Sequence, residues 1–167
     1  MDARIRRLIS DLLANNVSKK EFTSKYPGGF DPTHTPVNLL EQALATKDTE
    51  LVKWAMPLSF VFGITPNLRN VFKALALEDW HESHEDIAFE LGRTLRDDNN
   101  VDALYHMATT DYPYLRFDKS KALSTKCIWS LGHIGTPKAI NMLRCLALLD
   151  NPIIQKNALE QLKKRGE

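Results

Sequence analysis

An all-α chain of repeated helix pairs is predicted by three features of this 167-residue sequence. Leu (23) and Ala (14) outnumber Ile (9) and Val (6), and unbranched side chains lose little rotamer freedom in a helix. Apolar residues recur at helical spacing, as in Ile87, Ala88, Leu91 and Leu95, and again in Cys127, Ile128, Leu131 and Ile134. A motif also repeats. Residues 65–79, TPNLRNVFKALALED, align with 136–150, TPKAINMLRCLALLD, at a constant offset of 71. Thr-Pro, Asn70/Asn141, Leu75-Ala76-Leu77/Leu146-Ala147-Leu148 and Asp79/Asp150 coincide. Weaker copies lie at 35–48, TPVNLLEQALATKD, and 100–111, NVDALYHMATTD.

Each unit reads as a helix, a short turn and a second helix. Thr-Pro starts the first helix, with Thr accepting a backbone N–H and Pro supplying a suitable φ. The Asp that follows suits the turn and the cap of the second helix. Leu91-Gly92 and Leu131-Gly132 close two second helices, where the glycine allows close packing or ends the helix. Helices are expected at about 2–14, 18–25, 36–46, 49–62, 66–77, 81–96, 100–109, 119–133, 137–149 and 152–164. Pro57 should kink its helix or delay the start. The Pro/Gly-rich loop 26–35, YPGGFDPTHT, should set an N-terminal helical pair (1–30) apart from one continuous array of repeats (31–167). A second long loop, 111–118, DYPYLRFD, is aromatic.

With helix ends near Asp and second helices carrying small or apolar residues ahead of Leu-Gly, residues 36–165 resemble the HEAT-like repeat family. The Arg often found early in the second helix of such repeats appears here as His84, Ser124 and Gln155. The resemblance implies an α-solenoid of antiparallel helix pairs in a single domain, with second helices lining the concave face. The whole chain also resembles small all-helical, HEAT-like immunity proteins of bacterial contact-dependent growth-inhibition systems, some of which counter nuclease toxins of the EndoU type. That likeness rests on length, repeat type, charge pattern and the absence of a catalytic signature.

Charge is unevenly spread. The chain has 22 basic and 21 acidic residues, net +1. Residues 1–25 carry net +3, residues 78–102 net −7 and residues 116–167 net +6. The central block is a solvated helix face or a surface for a basic partner, since such a field raises association rates and selects partners by charge. Asp79, Glu82, Glu85, Asp86 and Glu90 are its candidate contacts. Trp80 stands at a turn beside them and is either an interface anchor or a core cap. Tyr112 and Tyr114 in the aromatic loop are candidate partner contacts, because loops of this length are uncommon in compact repeats without function. Trp54 and Trp129 fall in apolar pattern and are expected in the core.

Catalytic chemistry is not evident. His81-Glu82-Ser83-His84 spaces its histidines three apart, whereas a zinc-protease helix needs four with the Glu between them. Solvated histidines at a helix start are the reading taken, with no metal and no cofactor. There is no nucleophile elbow, P-loop or Cys-x-x-Cys. Cys127 and Cys145 lie among apolar neighbours and are expected as buried thiols in a cytoplasmic protein without disulfides. No run of 18 apolar residues suits a membrane span, and residues 1–13 lack the apolar region of a signal peptide. The basic C-terminal third is scattered rather than clustered, which argues against direct nucleic-acid binding. The expected function is that of an immunity protein whose acidic surface occludes a basic toxin domain, a ribonuclease. The alternatives are a HEAT-like adaptor, and a HEAT-like nucleic-acid enzyme such as a DNA glycosylase, which the acidic helix disfavours.

Overall fold

The computed structural model describes residues 1–166, and these are helical throughout apart from turns and loops. Ten α-helices follow in order: α1 (Ala3–Leu13), α2 (Lys19–Lys25), α3 (Thr35–Thr46), α4 (Thr49–Phe62), α5 (Leu68–Leu75), α6 (His84–Gly92), α7 (Val101–Thr109), α8 (Ala122–Ile134), α9 (Pro137–Ala147) and α10 (Pro152–Lys164). Single 3₁₀ turns precede α7 (Asp98–Asn100) and α8 (Pro113–Leu115). All ten expected helices are present. None of them is long and apolar enough to cross a membrane.

The caps explain most boundaries. Thr136 accepts from the Ala139 N–H (3.3 Å) with Pro137 in the first turn, as the Thr-Pro motif predicts. The other two copies differ. Thr35 lies inside α3 and accepts from the Asp31 N–H, while α5 begins only at Leu68, after Thr65-Pro66. Asp48 caps α4 through the Leu51 N–H (3.0 Å), and Asn151 rather than Asp150 caps α10. Pro57 does not delay α4, which runs from Thr49 through it to Phe62. The Asp48 cap and the buried face of Leu51, Val52, Ala55, Met56 and Leu58 hold that helix.

The chain forms two compact units, Met1–Val71 and Phe72–Glu167, with the division inside α5. No separation appears at residue 30. Ile9 and Leu12 of α1, Phe22 of α2, Phe30 and Leu58 of α4 share one buried cluster. The Phe22 and Phe30 rings meet edge-on at 5.0 Å. Pro27, Gly28 and Gly29 thus bend the chain, and Phe30 returns it to the same core.

In the second unit α8 packs against both α6 and α10, and α7 packs against α8 and α9. The neighbours α6, α8 and α10 run in the same direction. Glu85, Ala88 and Arg96 of the α6 region meet Lys126, Ser130 and His133 of α8, in that order. Trp129 and Gly132 of α8 meet Asn157 and Gln161 of α10. The Leu-Gly pairs mark the close approaches. A Cβ on Gly92 would lie 2.2 Å from Ser130 Cβ and 2.6 Å from its Cα, and one on Gly132 would lie 2.3 Å from Gln161 Oε1. Both glycines therefore sit at close packing contacts, Gly132 inside α8 and Gly92 at the last position of α6. Gly135 does terminate α8, with φ +64°, and its N–H returns to Leu131 O.

Candidate functional site

The acidic block is organised around a short helix. The expected helix 81–96 is trimmed to His84–Gly92 because His81 turns inward instead of starting it. The His81 ring donates from Nε2 to Leu75 O (2.9 Å) and accepts the Ser83 N–H at Nδ1 (3.1 Å). Three residues on, His84 donates from Nε2 to Glu78 O (2.7 Å) and accepts the Tyr114 hydroxyl at Nδ1 (2.9 Å). Carbonyls only accept and an amide N–H only donates, so His81 is fixed as a neutral tautomer. His84 is neutral because burial disfavours its charged form, and with Nε2 donating to Glu78 O its Nδ1 then accepts from Tyr114. The two rings stack at 4.2 Å and 14°. Tyr112 tilts against His84 at 4.0 Å.

This overturns the solvated reading of the histidines: His81 is 1% and His84 0% exposed. Burial lowers both pKa values, that of His84 to about 4, where the neighbouring His81 adds to the effect. Burial likewise pushes Tyr112 up to about 12 and raises Tyr114. Tyr112 is buried, with its hydroxyl directed at Ala76 O (3.4 Å), so it braces the core rather than offering a partner contact. Tyr114 is half-buried and spends its hydroxyl on His84. The aromatic loop closes over the histidine pair.

The predicted acidic contacts separate into three groups. Asp79, Glu82 and Asp86 are exposed. Glu85 is half-buried and tied to Lys126 Nζ of α8 at 2.6 Å. Glu90 is buried, and its Oε2 has no hydrogen-bond partner, so it offers nothing to an external surface. Trp80 is half-buried and donates from Nε1 to Glu78 Oε2 (2.5 Å). The remaining acids of the block serve structure: Asp97 caps the Asn99 N–H, Asp98 accepts from Thr136, and Asp102 pairs with Lys138 (2.7 Å).

Two aromatic residues that the sequence reading did not single out as contacts lie beside this acidic end. Phe89 is 43% and Trp129 45% exposed, against the expectation that Trp129 belongs to the core. They line a groove of about 330 Å³ between α6 and α8, with Thr125, Lys126, Ser130 and His133. Asp86 and Phe89, three apart, share one side of α6, with Glu82 before the helix and Arg93 just after it. Phe89 lies off the apolar face of Ile87, Ala88 and Leu91, and that offset was the available signal. Trp54 is half-buried against the Ile9–Leu58 cluster. Among the described residues no group of three or more His, Cys, Asp or Glu side chains is placed to hold a metal. Cys127 is buried, but Cys145 is exposed, because α9 turns its Ala139, Leu143, Leu146 face inward.

Comparison of the chain with protein-family models, with curated proteins and with solved structures matches none of them.

Proposed function

We propose that this chain is a binding protein that acts by occlusion, an immunity protein for a basic nuclease toxin domain. On this reading its second unit is a HEAT-like stack, with α6, α8 and α10 as the binding row. The observation that carries the proposal is the exposed side of α6. Asp86, with Glu82 and Asp79 just upstream of the helix, faces solvent with no ion pair among the described residues, and it lies one turn before the exposed ring of Phe89. Unpaired carboxylates attract a cationic partner over a Debye length, and fixed aromatic rings supply the anchoring contacts. The parallel run of α6, α8 and α10 and the Gly-mediated close packing support the repeat reading.

The acidic surface is narrower than the sequence block, since Glu85 is paired with Lys126 and Glu90 is buried. Three carboxylates remain to meet the Lys and Arg side chains that a ribonuclease uses to hold phosphates. The test is co-expression with a catalytically inactivated C-terminal domain encoded by the neighbouring upstream reading frame. A stable complex, together with loss of ribonuclease activity when the chain is added to the active domain, is the expected result. Failure of both contradicts the proposal.

A further inference from the structure

The groove beside the acidic stripe has a polarity of its own. Through α6 and the residues flanking it, the exposed order is acid, acid, aromatic, cation: Glu82 before the helix, Asp86 and Phe89 on it, and Arg93 just after it. Lys126 on the opposite wall is occupied by Glu85, so it does not cancel Asp86. His133 follows Trp129 on α8, which runs in the same direction, and Lys164 of α10 sits 5.1 Å from the Trp129 ring centre. The apolar groove is therefore flanked by Asp86, one turn before Phe89, and on the far side by Arg93 and Lys164, which lie against the Phe89 and Trp129 rings.

Both rings are held before anything binds. Trp129 donates from Nε1 to Asn157 Oδ1 (3.1 Å), with Lys164 over its ring. Arg93 lies 5.2 Å from the Phe89 ring centre. A partner that seats here immobilises little that is still free, which lowers the entropic cost of association.

We infer that this groove takes a single apolar side chain, aromatic or long aliphatic, from a short extended segment of the partner protein. That side chain is flanked by a partner cation at the Asp86 end and a partner carboxylate at the Arg93 end. The inference rests on the partner-binding reading above and deepens it. From Asp86 to Arg93 the helix rises about 10 Å at 1.5 Å per residue. An extended segment covers that span in about three residues, so cation, anchor and carboxylate fall within four consecutive positions. A nucleic-acid strand is disfavoured, because Asp79, Glu82 and Asp86 would repel phosphates on the same side of the molecule.

The test uses the full chain with its three tryptophans replaced by 5-fluorotryptophan, the Trp129 resonance being assigned by comparison with Trp129→Phe. The probes are end-capped tetrapeptides: Lys-Phe-Ala-Glu, the neutral Gln-Phe-Ala-Gln and the anchorless Lys-Ala-Ala-Glu. Lys-Phe-Ala-Glu should shift the Trp129 resonance at millimolar concentration and bind about fivefold more tightly than the neutral peptide. That preference should shrink in high salt, and the anchorless peptide should leave Trp129 unmoved. No shift with either anchored peptide, equal affinity for the charged and neutral ones, or a shift only when oligothymidine is added as a fourth probe overturns the inference. The partner-binding reading is judged separately with the intact partner. If Asp79→Lys, Glu82→Lys and Asp86→Lys together weaken the complex while Trp129→Ala does not, the groove inference fails and the broader reading stands. If neither change matters, both fail.

Discussion

The buried histidine pair makes a quantitative prediction about acid. His84 is held neutral by burial, and its pKa falls from the ordinary 6.5 to about 4. The unfolded chain takes up a proton near pH 6.5 while the folded chain does not, so the stabilisation is present above that pH and is lost as the pH falls toward 4. The drop corresponds to roughly 3 kcal/mol in full, of which about 2 kcal/mol is gone by pH 5. His81, lowered for the same reason, adds to it in the same direction. Urea unfolding at pH 7 and pH 5, followed by tryptophan fluorescence and far-UV circular dichroism at constant ionic strength, measures the loss. His84→Gln removes one titrating group. It lowers stability at pH 7 by stranding the Tyr114 hydroxyl, and it makes the pH 7-to-5 loss smaller by about 2 kcal/mol. A wild-type stability that is flat over this interval, or a His84→Gln variant with an unchanged slope, refutes the reasoning. So does an NMR titration that puts the His84 ring near 6.5.

Four further outcomes follow from packing and burial. Gly92→Ala places a Cβ against the Ser130 backbone, where nothing can move cheaply, and should cost about 1–3 kcal/mol in chemical denaturation. Gly132→Ala meets only the end of the Gln161 side chain and should lie near neutral, because better helix propensity offsets the shift. In the native protein a thiol reagent should modify Cys145 at once and Cys127 only on unfolding, since burial also raises the Cys127 pKa. Asn100→Ala removes donors to Leu91 O (2.9 Å) and Leu95 O (2.7 Å) and leaves those carbonyls at the end of α6 without this partner. A loss of about 1–3 kcal/mol is expected by thermal unfolding.

The helical architecture was legible because it is written in periodicity. Apolar spacing placed all ten helices, and the offset between the Thr-Pro copies located the repeats. Of the two roles open to the glycines of Leu91-Gly92 and Leu131-Gly132, close packing holds at both, and Gly92 also ends its helix. The candidate site was less legible, because charge in a sequence does not say where it is spent. Glu85 finds Lys126 forty-one positions away, and Glu90 points inward, though both sit in the same acidic run as Glu82 and Asp86. His81 and His84 look polar at a helix start, yet the carbonyls of Leu75 and Glu78 and the hydroxyl of Tyr114 make a buried neutral pair possible. Tyr112 and Trp129 exchange their expected places for the same reason. A loop folds back to bury one, while the groove between parallel helices leaves the other exposed.

The proposal stands or falls on whether the exposed carboxylates of Asp79, Glu82 and Asp86, on α6 and just before it, meet a basic partner. Its most direct measurement is the association rate of the partner toxin domain with the wild-type chain and with the combined Asp79→Lys, Glu82→Lys, Asp86→Lys variant, over a range of salt concentrations. The variant should associate far more slowly at low salt, with the difference narrowing as salt rises and helicity unchanged. Equal rates for the two proteins at every salt concentration would contradict it.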